Sequence, residues 1–338
     1  MNLTIAYITS RRDPKIEWFL DSLQREVESL PAHIDVTLII VDLQAPSRTH
    51  RTLSKYGRII KAMWVEPKPS VWQGRFRLTE QDFFSAANCR NTALAVAPDG
   101  YIAFVDDLSV LCPNWIKPIV RLMDGPDDYV LCGSFQKVLK LKVEQGAICY
   151  FEAYKEGIDP RFLCGEPNID VVCSPQWMFG CSIACPVDYL LNVNGFPELL
   201  CDGMGYEDCV MGTTMARRGN IFRYSLQMHT KESEEDHHNQ QSPLRYDPGK
   251  SPLDKSHRLL EVNKGQTFFE QSFGNDFKTI SELRQHMLNG GLFPVRREPT
   301  TEWFTGIDLR DFHMYNPDTS VIVPHTKPPN DTIKTAAS

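Results

Sequence analysis

The sequence predicts an α/β fold, a mostly parallel central sheet flanked by helices. Three observations carry this expectation. Short apolar runs at Leu3–Ile8, Asp35–Val41 and Arg58–Val65 read as strands, and a segment of helical period separates the first two. A further run, Tyr101–Val105, follows another helix-like stretch, which continues the alternation. That run stops at two adjacent carboxylates, Asp106 and Asp107, and ligands of open α/β sheets bind just beyond the carboxyl ends of the strands.

Taken in order, Leu3–Ile8 is the opening strand. Asp13-Pro14 has the chemistry of a helix start, with Asp as cap and Pro at the first helical position. Ile16, Phe19, Leu20, Leu23, Val27 and Leu30 then recur at helical spacing. DVTLIIV, residues 35 to 41, is the second strand, closed by Asp42, and Arg58–Val65 is the third. EPKPSVWQGRFRLT, residues 66 to 79, has no period and reads as a loop. A helix over Gln81–Ala97 leads into the Tyr101–Val105 strand, and Pro113 opens the next helix. Tyr129–Phe135 is a strand, and the chain from there to about Gly165 reads as a hairpin. Strand character resumes at Trp177–Cys185, followed by a short helix over Val187–Val193. Gly203 and Gly205 make a turn before Glu207-Asp208, which open a helix ending at Gly219. Ile221–Tyr224 is a strand with an exit at Met228-His229. Beyond residue 235 the pattern weakens: a polar tract, an amphipathic segment (HRLLEVNKGQTFFEQSF), a helix near Ile280–Leu288 and a polar tail. The expected division is a main domain over residues 1–235, an extension over 236–324 that closes over the site or shapes an acceptor groove, and a disordered tail over 325–338.

With 42% apolar and 23% charged residues, the 338-residue chain has enough apolar material for a sizeable core. Its net charge of −7 gives no electrostatic footprint for non-specific binding to nucleic acid or membrane. The first residues lack the features of a secretory signal, and no apolar run approaches the roughly 20 residues of a membrane span. The ten cysteines include no C-x-x-C pair and mostly lie in apolar runs, so they read as reduced core residues of a cytoplasmic protein.

Five pieces, in order, resemble the family-2 glycosyltransferases of GT-A fold: IAYITSRR, IIVDLQA, ANCRNTAL, YIAFVDDLS and VNGFPELLCDGMGYEDCVMG, with His229 following. The likeness spans roughly residues 3 to 232. It implies a Rossmann-related α/β sandwich and inverting transfer of a sugar from a nucleotide-diphosphate sugar, a UDP-sugar foremost, with a divalent metal, Mn²⁺ before Mg²⁺. The donor would meet Thr9, Arg12, Asp42, Arg90, Asp106 and Asp107, with Asp106, Asp107 and His229 as metal ligands. Asp208 would be the general base, with Glu207 beside it orienting an acceptor hydroxyl or capping the helix. The family's metal motif is Asp-any-Asp, and this chain departs from it with Leu108 in the third place.

Residue chemistry leaves other readings open. An Asp-Asp pair also ends strands in solvated turns, and Arg90 suits either a nucleotide or a core carboxylate. Trp177 and Tyr206 could stack on sugar faces or pack in the core. His237-His238 reads as solvated loop. Leu108 raises the alternative of a catalytically weak or inactive nucleotide-sugar-binding protein. A nucleotidyltransferase would carry a Gly-rich phosphate loop near the first strand, and residues 8 to 12 contain no Gly. The acceptor, whether glycan, protein or modified nucleic-acid base, is not named by the sequence.

Overall fold

A computed structural model of the chain describes residues 1–42, 60–68, 84–198, 207–239, 277, 279–293, 314–316 and 321–323. The elements in order are β1 (Asn2–Thr9), α1 (Ile16–Glu28), β2 (Asp35–Asp42), β3 (Lys61–Val65), α2 (Ala86–Val96), β4 (Tyr101–Asp106), β5 (Ser109–Leu111) and α3 (Lys117–Asp124). Then follow β6 (Val130–Glu144), β7 (Ala147–Ile158), β8 (Val171–Val172), β9 (Ser182–Pro186), α4 (Val187–Leu191), α5 (Glu207–Arg217), β10 (Phe222–Ser233), α6 (Glu234–Asn239) and α7 (Ile280–Leu288). A small ribbon, β11 (Met314–Asn316) with β12 (Val321–Val323), closes the series.

One sheet organises the molecule, in the order β3-β2-β1-β4-β9-β6-β10-β5. Strands β3, β2, β1 and β4 run parallel, as do β6 and β10, and antiparallel β9 sits between the two sets. Alternation along the strands divides the core in two. Ala6, Ile8, Ile102 and Phe104 pack with α2 on one face, while Leu3, Ile5, Tyr7, Ala103 and Val105 pack with α1 and α3 on the other. Burial on both faces explains why these strands read as unbroken apolar runs. The α/β architecture expected from the alternation of runs is the one observed.

Local differences from expectation have local causes. Helix α1 begins at Ile16 behind a left-handed Lys15, whose amide donates to Asp13 Oδ1 at 3.3 Å. Pro14 is therefore not in the helix. Its carbonyl accepts from Tyr7 Oη at 2.9 Å and from the Leu108 amide at 3.2 Å, tying this loop to the end of β4. Pro113 does not open α3 either. The preceding turn is held by Glu26, whose carboxylate accepts from the Asn114 and Ile116 amides at 3.0 Å each. Strand β9 starts at Ser182, and Trp177 belongs to a short 3₁₀ turn before it. Residues 222 to 233 form one strand, irregular between Ser225 and His229, where an exit had been expected. The tract after it is a short helix, α6, rather than a loop.

Two polar anchors tie together described segments that are distant in sequence. Lys68 Nζ and Glu198 Oε1 pair at 2.6 Å with side chains 0% exposed, and Asn91 Nδ2 donates to the same carboxylate at 2.7 Å. Helix α7 is capped by Thr279 and Glu282, buries Ile280 and Leu283 in the core shared with α2, and places Arg284 on the Ala97 carbonyl. This part of the expected extension thus shares the main core. No helix among the described residues is long and apolar enough to cross a membrane. Nine described cysteines carry free thiols, and Cys149 and Cys164 are exposed rather than core residues. The turn at Gly203 and Gly205, most of the 66–79 loop, the amphipathic 257–273 segment, Tyr206 and the 325–338 tail lie outside the described residues.

Candidate active site

The two acidic motifs face one cleft of about 350 Å³ at the carboxyl ends of β1 and β4. Asp106 is the last residue of β4, and Asp107 starts the turn into β5. Glu207 and Asp208 open α5 and border the same cleft. Parallel strands bring β1 and β4 to a common end, and α2 on one sheet face places Arg90 between the motifs.

Arg90 is the centre of the charge network. It is 2% exposed, its Nη2 donates to Asp106 Oδ1 at 2.9 Å, and its Nη1 donates to Glu207. Burial works against the guanidinium charge, but Asp106, Glu207 and Asp208 outweigh it and hold Arg90 protonated. Burial, reinforced by Asp208, pushes the Glu207 carboxyl above its usual range, against the pull of Arg90. Of the two roles open to Arg90, the structure shows pairing with carboxylates, Glu207 buried and Asp106 part-exposed, while Arg90 also borders the cleft.

Asp208 is placed differently. Its Oδ2 accepts from the Gly180 amide at 2.8 Å and its Oδ1 from the Cys209 amide at 2.7 Å, so two backbone donors orient the carboxylate. A Cβ at Gly180 would stand 1.8 Å from Arg90 Nη2, so any larger residue there must push the guanidinium off its carboxylates. Asp107 accepts from Thr9 Oγ1 at 2.6 Å and from Arg11 Nε at 2.9 Å. Burial pushes its carboxyl up, while Arg11 and Thr9 pull it down.

Several expected residues are elsewhere. Arg12 is exposed, and it is Arg11 that lines the cleft. The reason is local: the Arg11 amide donates to Thr9 Oγ1 at 3.1 Å, turning the chain so that Arg11 folds back on Asp107. Asp42 is buried at the end of β2, in register with Thr9, and is not part of the cleft lining. His229 does not join the acidic pair. Its Nδ1 bonds Ser134 Oγ at 2.7 Å, and burial, with Lys231 pushing the same way, drives the imidazole down to about 4. Trp177 packs edge-on against Tyr224 at 5.4 Å in the core rather than bordering the cleft. His237, expected in a solvated loop, sits in α6 at the cleft mouth, and its carbonyl accepts from Arg11 Nη1 at 3.3 Å. Leu108 is 1% exposed in a left-handed turn (φ 60°), so the third place of the metal motif points into the protein.

The structure adds lining residues that sequence patterning did not single out: Arg11, Phe135, Phe179, Gly180 and Glu232. Phe179 and Gly180 were visible only as part of the apolar WMFGC stretch, and Glu232 only as one charge in a polar tract.

As a cation site the donor set is sparse. Among the described residues no group of three His, Cys, Asp or Glu side chains gathers around one point, so Asp106, Asp107 and His229 do not converge in this structure. Both Asp107 oxygens are engaged by Thr9 and Arg11. Asp106 is different: Arg90 takes Oδ1, the side chain is 36% exposed, and Oδ2 faces no hydrogen-bond donor among the described residues. One open carboxylate oxygen fits a divalent ion that a diphosphate would hold jointly, since Mg²⁺-type ions commonly use one or two carboxylates plus substrate phosphates.

No family model matches the chain, and no curated protein does. Among solved structures it is similar to Staphylococcus aureus TarS 1–349 in complex with UDP-GlcNAc, at TM-score 0.53 and 15% identity, over 85% of this chain and 70% of that one. The same TarS segment in complex with UDP superposes at TM-score 0.52 and 13% identity, again over 85% and 70%. The chain therefore has the α/β fold of a structure solved around a nucleotide sugar, the GT-A-like fold that the order of its motifs resembles.

Proposed function

We propose that the protein is a glycosyltransferase that moves a sugar from a nucleotide-diphosphate sugar, a UDP-sugar foremost, to an acceptor hydroxyl with inversion. The observation that carries this reading is the shared cleft: Asp106 and Asp208 border one cavity, and Arg90 bridges Asp106 to Glu207, the neighbour of Asp208. Transfer makes two demands, and the two motifs divide them. The acceptor hydroxyl must lose its proton as it attacks, and the departing diphosphate must have its growing charge neutralised.

Asp208 is the base. The Gly180 and Cys209 amides fix its carboxylate at the cleft wall, where it accepts the hydroxyl proton. The acceptor oxygen bonds to the anomeric carbon as the bond to the diphosphate oxygen breaks, and the electron pair leaves with the diphosphate. A single displacement of this kind inverts the anomeric centre. Asp106, through Oδ2, would hold a divalent cation, Mn²⁺ foremost, which when bound supplies Lewis-acid neutralisation of the leaving group. Arg90 keeps the Asp106 and Glu207 carboxylates in place from the cleft wall.

Asp208→Asn keeps the shape and removes the base. Transfer should fall about 10²- to 10⁴-fold, the usual contribution of a positioned general base, while UDP affinity by calorimetry holds. Undiminished turnover would remove Asp208 from this role, and nucleotide binding without turnover by the unaltered protein would favour a binding protein of the same fold.

A further inference from the structure

The cleft has an aromatic side that the proton and phosphate chemistry leaves unused. Phe135 and Phe179 both border it, with ring centroids 5.9 Å apart at 60°. Behind them Arg161 stands 4.2 Å from the Phe179 centroid and 5.7 Å from that of Phe135. Arg161 is itself locked: it chelates Asp159 at 2.8 Å and donates to the Trp177 and Gly133 carbonyls. The rings are thus fixed before any ligand arrives. On the same face of the β6–β10 pair, Glu232 lies in register with Lys137, two residues along β6 from Phe135. Glu232 borders the cleft, and its Oε1 has no hydrogen-bond partner among the described residues. An apolar ring pair beside an unsatisfied acceptor matches a sugar, which has a C–H face and a rim of hydroxyl donors.

We propose that Phe135, Phe179 and Glu232 form the seat of the transferred sugar, and that the seat takes an uncharged hexose or N-acetylhexosamine rather than a uronic acid. The rings pack on the C–H face, and Glu232 accepts from a hydroxyl. The cleft lining sets the carboxylates of Asp106, Asp107, Glu207, Asp208 and Glu232 against Arg11, Arg90 and Lys137. These cations already face Asp107, Asp106 with Glu207, and Glu234, so a sugar carboxylate beside Glu232 would meet an excess of negative charge. This rests on the donor reading above.

The test uses the full chain with diamagnetic Mg²⁺ and four probes: UDP, UDP-glucose, UDP-N-acetylglucosamine and UDP-glucuronic acid. Saturating the protein's aromatic protons should transfer magnetisation to the hexose ring protons of the two neutral donors. Phe179→Leu, which keeps apolar volume and loses the ring, and Glu232→Gln should each weaken those donors about tenfold with UDP affinity held. UDP-glucuronic acid should bind no tighter than UDP. Unsaturated sugar protons, unchanged neutral-donor affinity in both variants, or tightest binding of UDP-glucuronic acid would overturn the seat while leaving the donor reading intact. Loss of Mn²⁺ affinity in Glu232→Gln without nucleotide, read by electron paramagnetic resonance, would also overturn it, by making Glu232 a cation ligand. Failure of UDP itself to bind would overturn the donor reading and the seat together.

Discussion

Arg90→Met tests whether the two acidic motifs are held together by a buried charge. The substitution keeps much of the side-chain length and removes the cation between Asp106 and Glu207. Glu207 is 5% exposed, so above neutrality it is left either as a buried carboxylate without its cation or holding a proton the unfolded chain releases, a cost of about 3–5 kcal/mol. Asp106, with its side chain 36% exposed, can rehydrate and adds little. The pH dependence follows from Glu207, whose carboxyl burial already raises above its unfolded value and which loses the opposing pull of Arg90. As pH rises through this window, the folded variant holds a proton that the unfolded chain has released, so its stability falls with rising pH. Urea denaturation should show a loss of about 3–5 kcal/mol at pH 8. At pH 5, where Glu207 is neutral, the loss should shrink to about 1–2 kcal/mol, the cost of the broken hydrogen bonds. Adding Glu207→Gln should recover most of the pH 8 loss. A deficit equal at both pH values, or below about 1 kcal/mol at pH 8, would refute the argument.

Two further predictions follow from the same geometry. Gly180→Ala should displace Arg90 from the cleft wall and disturb the amide that orients Asp208, lowering both melting temperature and transfer; a normal crystal structure with full activity would refute the close approach. His229→Gln should leave Mn²⁺ affinity unchanged, because the imidazole is bonded to Ser134 away from Asp106. It should also flatten the acid side of the stability curve: the buried ring's value of about 4 lies below its ordinary 6.5, so the native protein loses stability as pH falls through that interval. A drop in Mn²⁺ affinity by calorimetry would return His229 to the site.

The parallel half of the sheet was legible because doubly buried strands are apolar throughout, and β1, β2 and β4 announce themselves as runs ended by polar residues. The Asp106–Asp107 and Glu207–Asp208 pairs were legible as chemistry at an element's end. What could not be read were choices between neighbours. Arg11 prevails over Arg12 through one hydrogen bond to Thr9, a turn with no residue signature of its own. Glu232 borders the cleft and His229 does not, because β10 pairs β6 without a break from His229 to Glu232 and an offset of three puts the two on opposite faces; the slip just before His229 keeps that face from being counted on from the start of the strand. Phe179, rather than Trp177, borders the cleft because the 3₁₀ turn at Pro175–Trp177 directs the larger ring onto Tyr224. Even a correct motif order cannot resolve a one- or three-residue offset of this kind.

Lys68 and Glu198 meet in the interior with no solvent contact. Each stands at the stem of a stretch that next re-enters the described chain beside the cleft, the first at Phe84 and the second at Glu207. The pair therefore joins two points of the chain far apart in sequence, and the next described residue after each borders one cleft. A substitution that parts the two charges would strand one of them in the interior, so a change outside the cleft lining would register in the stability of the whole fold.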